Sequence, residues 1–201
     1  MMGKEMTPQE ALNILIAGNR RFARGESFHP HCGFARRREV IQSQNPFAVI
    51  VACSDSRVPP EIIFDCGIGD LFVVRVAGNI IDSVVMGSIV YAVHHLACPL
   101  VGVLGHEMCG AVSSSLASDN EIVHEPPALI KLLAIIRENI PNSLKKNKGK
   151  EQNLSSAICE NTRAVVEYIK SDTTIQSHID NGTLEVRQAL YSLSSGEVTW
   201  E

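Results

Sequence analysis

Residues 47–57 read Phe-Ala-Val-Ile-Val-Ala-Cys-Ser-Asp-Ser-Arg. The first six form an unbroken apolar run, and metal-competent and charged side chains follow without a spacer. A run with no polar alternation buries both faces, as an inner strand of a parallel sheet does. Residues 71–74 (LFVV) and 100–104 (LVGVL) repeat the pattern. Between them, residues 83–96 have helix length, with Asp82 placed to cap the start and Pro99 beyond the end. Strands alternating with helices predict an α/β fold with a mostly parallel central sheet flanked by helices.

Working outward, Thr7-Pro8-Gln9-Glu10 opens a helix: Thr7 caps, Pro8 fits the first turn and Glu10 reaches back. Leu12, Leu15, Ile16, Phe22 and Ala23 follow at roughly helical spacing. Residues 25–46 are polar and read as irregular, with Arg36-Arg37-Arg38 as a solvated basic face or an anion site. Residues 126–140 form an amphipathic helix, with Leu129, Leu132, Leu133, Ile136 and Ile140 on one stripe. The stretch 145–152 (KKNKGKEQ) reads as a charged surface loop, 154–170 and 173–181 as helices, and 183–200 as two short strands around Ser194-Ser195-Gly196. One domain over 1–201 is expected, with 1–46 as an N-terminal arm and loop.

The chain has 201 residues, 45% hydrophobic and 20% charged, with net charge −4. That excludes a mainly disordered chain and argues against a cationic nucleic-acid binder. No apolar run approaches the ~18 residues of a membrane span. The first residues lack the apolar core of a signal peptide, so a cytoplasmic setting is expected. Thiols stay reduced there, and the six cysteines are core residues, ligands or nucleophiles rather than a disulfide framework.

Two strands are followed at once by reactive residues. Cys53-Ser54-Asp55-Ser56-Arg57 comes after the first, and Gly105-His106-Glu107-Met108-Cys109-Gly110 after the third. Open α/β sheets bind ligands beyond the carboxyl ends of their strands, so both clusters can face one crevice. Cys53, His106 and Cys109 make a Cys2His set suited to zinc, with a fourth position left for water. The His-x-x-Cys spacing suits a tight turn entering a helix. Asp55 and Arg57 can neutralise each other, or Asp55 can be a fourth ligand. Read without further context, Phe72 and Tyr91 are ordinary core aromatics and Gln44 is a loop residue.

At these residues the sequence resembles the β-class carbonic anhydrases, in the plant-like branch whose site stays open. The resemblance rests on CSDSR at 53–57 and HEMC at 106–109, with GNRRF at 18–22, CSDSRVPPEIIFD at 53–65, GDLFVVRVAGN at 69–79, ENTRAVVEYI at 160–169 and the terminal YSLSSGEVTW. It implies reversible hydration of carbon dioxide to bicarbonate and a proton, with one zinc per chain on Cys53, His106 and Cys109. Asp55 would accept a hydrogen bond from the water on the metal, or ligate zinc only in a closed state, and Arg57 would hold Asp55. Gln44, Phe72, Tyr91 and the Gly110 N–H would receive the substrate. A homodimer or dimer of dimers is implied, with the 1–46 arm packed on the neighbouring subunit. The branch that closes its site carries Trp three residues before the first Cys and Gly directly before it. Here those places hold Ile50 and Ala52, so an open site is expected. Hydrolysis of carbon disulfide or carbonyl sulfide on the same scaffold, and a non-enzymatic zinc-binding domain, are the alternative readings.

Overall fold

The computed structural model describes residues 6–145 and 151–201. In chain order the elements are α1 (Pro8–Ala23), α2 (Phe34–Glu39), β1 (Ala48–Ala52), α3 (Pro60–Ile63), β2 (Leu71–Arg75), a 3-10 turn (Ala77–Asn79), α4 (Ser83–Leu96), β3 (Leu100–His106), α5 (Gly110–Ser115), α6 (Asp119–Ile122), α7 (Pro127–Asn139), α8 (Asn142–Lys145), α9 (Glu151–Lys170), α10 (Thr173–Asp180), β4 (Glu185–Tyr191) and β5 (Val198–Trp200). The five strands form one sheet in the order β2-β1-β3-β4-β5. All neighbours are parallel except β5, which returns antiparallel on β4. The expected α/β architecture is the one observed.

Local chemistry accounts for the boundaries. Thr7 and Glu10 form the capping box of α1, with Glu10 N donating to Thr7 Oγ1 at 3.2 Å and Thr7 N donating to Glu10 Oε2 at 2.8 Å. Asp82 Oδ1 accepts from the N–H groups of Val84 and Val85 and so starts α4. One expectation is corrected: the irregular 25–46 segment contains α2, with the arginine triplet inside it. Arginine is a good helix former, but α2 buries no residue, so it leaves no apolar period to read. Arg36 is structural: it donates to Ile68 O at 2.9 Å and to Asp70 at 3.3 Å. Arg37 and Arg38 lie over the Phe34 ring. Of the stretch 145–152 expected as a loop, Lys145 ends α8 and Glu151 begins α9, and residues 146–150 lie outside the described residues.

Alternation along β1 and β3 splits the core between the two sheet faces. Val49, Val51, Val101 and Val103 pack with Ile89 and Val93 of α4, Val165 and Ile169 of α9 and Ile175 of α10. Ala48, Ile50, Ala52, Leu100 and Leu104 pack on the other face with Leu12 and Leu15 of α1 and with Ile63 and Phe64. Each large side chain buried this way contributes about 1.5–3 kcal/mol. A third cluster lies past the strand ends, where Cys53 and Cys109 pack with Val112, Ile136, Ile140, Ala157 and Ile158.

Two aspartates tie the N-terminal arm to its own chain. Asp65 accepts from Arg21 Nε at 2.6 Å, Phe28 N at 3.0 Å and His29 N at 2.8 Å. Asp70 is bonded by His31 Nδ1 at 2.8 Å and by Arg36. The arm still exposes Phe28 (76%), Phe34 (64%) and Ile41 (67%).

Candidate active site

β1 and β3 are neighbours, with Ala52 beside Leu104. Cys53, directly after β1, and His106, the last residue of β3, therefore leave the same edge of the sheet. Met108 adopts a left-handed backbone (φ 54) and turns the chain so that Cys109 stands at the start of α5. All three residues are buried, and their ligand atoms lie within 4.8 Å of one another.

The geometry fits a zinc ion. The sulfurs of Cys53 and Cys109 are 4.0 Å apart, against about 3.8 Å for two thiolates on a tetrahedral zinc. His106 Nδ1 lies 2.8 Å from the carbonyl of Glu107. A carbonyl only accepts, so Nδ1 carries the proton and Nε2 keeps a free lone pair. Nε2 is buried and has no hydrogen-bond partner among the described residues. Two buried sulfurs at this distance compete for one proton. Cys53 is pulled well below the ordinary thiol range by the hydrogen bond from Cys109, against burial, with the Gly78 N–H helping. The same bond, then burial, pushes Cys109 up. A dication neutralises both thiolates at once. Cys66 and Cys98 are different: burial first of all pushes each up to about 12, so they are inert core thiols.

Asp55 points its carboxylate at Arg57. Arg57 Nε donates to Oδ1 at 2.9 Å, Nη2 to Oδ2 at 2.8 Å, and the Arg57 backbone N–H to Oδ1 at 3.0 Å. These bonds, the guanidinium first, hold the Asp55 carboxyl well below the usual carboxylate range. Both oxygens are engaged, and Asp55 is outside the Cys53–His106–Cys109 group.

Of the other expected residues, Gly110 adjoins Cys109, and a Cβ built on it would meet open space. Gln44, Phe72 and Tyr91 are not brought to the cysteine–histidine set within one chain. Phe72 pairs with Val49, four residues before Cys53, or about 13 Å back along the strand. Tyr91 is half-exposed on α4, its ring 6.4 Å from that of Phe72. Gln44 precedes β1, at the opposite end of the strand from Cys53.

Arg75 escaped the sequence reading. It ends β2 opposite Ala52, donates from Nε to Cys53 O at 3.0 Å and from Nη2 to Asp55 O at 2.6 Å, and so holds the segment carrying a ligand and the carboxylate. An arginine closing an otherwise apolar strand was the available signal.

A mostly parallel α/β sheet carries a buried Cys–His–Cys set at its carboxyl edge, beside an aspartate locked to an arginine, and the three residues could hold one metal ion. A sequence model of the carbonic anhydrase family matches residues 48–198. A carbonic anhydrase of Mycolicibacterium smegmatis is 38% identical over 192 residues, covering 95% of this chain and 92% of that protein. Carbonic anhydrase 2 of Mycobacterium tuberculosis is 52% identical over 114 residues, 57% of this chain and 55% of that protein. The β-carbonic anhydrase of Coccomyxa, solved with acetazolamide, superposes with a TM-score of 0.73 at 26% identity, covering 94% of this chain and 85% of that one. The chain belongs to the carbonic anhydrase family, with the β-class fold, and is an enzyme of carbon dioxide hydration.

Proposed function

We propose that Cys53, His106 and Cys109 hold one zinc ion per chain and that Asp55 and Arg57 serve the conversion of carbon dioxide and water to bicarbonate and a proton beside it. The observation that carries this is the orphaned His106 Nε2 buried with two sulfurs 4.0 Å apart. Bound there, zinc supplies a nucleophile near neutral pH by lowering the pKa of water. Asp55 stays ionised because Arg57 holds it, so it accepts a hydrogen bond from the attacking water and aims an oxygen lone pair at the substrate carbon. The water oxygen bonds to that carbon, one carbon–oxygen π pair moves onto the substrate oxygen, and a proton leaves to buffer. The Gly110 N–H, next to Cys109 at the start of α5, steadies the developing negative oxygen. Since the Asp55 oxygens are engaged with Arg57, the reading is of an open site.

The apolar wall is assigned to a second copy. Gln44, Phe72 and Tyr91 are remote from the ligands of their own chain, and the arm exposes Phe28, Phe34 and Ile41. A homodimer or dimer of dimers, with the 1–46 arm of the single domain on the neighbour, joins these residues to a facing site and covers the apolar arm. Free thiols suit a reducing cytoplasm, and none of the described helices is long and apolar enough to cross a membrane.

Metal analysis with stopped-flow carbon dioxide hydration tests this. One zinc per chain and hydration lost with Cys109→Ser are expected. Zinc-loaded protein that hydrolyses carbon disulfide but does not hydrate carbon dioxide overturns the substrate assignment.

A further inference from the structure

The turn after β2 is held by side-chain hydrogen bonds as well as by packing. Gly78 has a left-handed backbone (φ 69), and its N–H donates to Cys53 Sγ at 3.2 Å. Its carbonyl accepts from Asn161 Nδ2 at 2.9 Å. Asn161 lies on α9, fully buried, and its Oδ1 accepts from Asn139 Nδ2, at the end of α7, also at 2.9 Å. A Cβ on Gly78 would sit 2.6 Å from Ile136 Cδ1, so α7 presses on the same turn. The result is one continuous chain of polar contacts, Asn139–Asn161–Gly78–Cys53, inside an apolar cluster.

An amide is the side chain this place demands. It must donate to one carbonyl and accept from another amide in the same plane. Leucine would fill the volume but strand the Gly78 carbonyl, and aspartate would bring a negative charge against it. We infer that Asn161 is a positioning residue for the metal site, which with Asn139 holds the Gly78 peptide so that its N–H stays on Cys53 Sγ. This rests on Cys53 being a metal ligand. A hydrogen bond to a ligating thiolate aims the sulfur and draws charge from it, leaving the cation more acidic than two unbonded thiolates would. Thr162, next along α9, packs against Gly105 just before His106, while Asn161 is tied to Cys53 through the Gly78 peptide.

The test uses purified protein loaded with zinc, and separately with cobalt, as parent, Asn161→Leu and Asn139→Leu. Two readouts other than activity are taken: the rate of metal loss to a chelator and the thiolate-to-cobalt charge-transfer band. Asn161→Leu is expected to lose metal about 10–100-fold faster, with the band displaced. Asn139→Leu, at a half-buried helix end and able to fold where the first variant fails, is expected to move both readouts less but in the same direction. Folded variants with the parent's rate and band overturn the inference. A parent that takes up no metal overturns the ligand assignment and this inference with it.

Discussion

Replacing Arg57 by alanine isolates the part of the site that is not a metal ligand. Three hydrogen bonds hold the Asp55 carboxylate, and two come from the Arg57 side chain, at 2.9 and 2.8 Å. The variant keeps only the backbone N–H at 3.0 Å. Protonation is not the expected cause of damage. Freed from Arg57, Asp55 returns toward an ordinary carboxylate pKa near 3.9, so at pH 7 only about one molecule in a thousand is protonated. What is lost is direction: the carboxylate can rotate away from the attacking water or swing onto the cation as its fourth ligand. Removing a partner that orients a group beside a metal typically costs about 10–100-fold in activity, and a fall of that size in kcat/KM is expected with zinc retained. Part of the loss should return as pH rises, because hydroxide then competes with the carboxylate for the cation. Stopped-flow hydration between pH 7 and 9, with zinc measured on the same samples, decides the matter. A zinc-replete variant with the parent's kcat/KM across that range refutes the role given to this pair.

Asp65→Asn should lower stability by about 1–3 kcal/mol, since a buried acceptor of three donors loses its charge. Burial pushes the Asp65 carboxyl up, but the N–H groups of Phe28 and His29 and the Arg21 guanidinium outweigh it and hold it below the usual carboxylate range. Its contribution is therefore complete above the unfolded value near 3.9 and fades as pH falls below it, so denaturation curves of parent and variant should converge in acid. Ile41→Glu places a charge on the exposed arm without touching the site. Sedimentation should show more monomer and hydration should fall in step, and a fully active monomer contradicts the shared-site reading.

Much of this molecule is legible because its signals are local. The apolar run before Cys53 buries both faces wherever it lies, so it reads as an inner strand, and β1 is buried throughout. Caps act within three or four residues, and Thr7 with Glu10 and Asp82 with Val84 and Val85 behave as read. The Asp55–Arg57 pair spans two positions in the chain, so its contact needs no long-range folding. Helix α2 was hidden for the opposite reason, since it contributes nothing to the core and carries no apolar period.

What the sequence by itself determined is which residues end up at strand ends with metal-binding chemistry. Only the tertiary structure decided which ends meet. The order β2-β1-β3 sets Cys53 beside His106 and brings Arg75 to the carbonyls of Cys53 and Asp55. It also puts Phe72 beside Val49, well back from Cys53, His106 and Cys109 of its own chain. Asn161 reaches Gly78, and Asn139 reaches Asn161, from helices remote in sequence. A buried amide has no periodicity or spacing to announce its partner, and its hydrogen bond exists only once packing has excluded water from both groups.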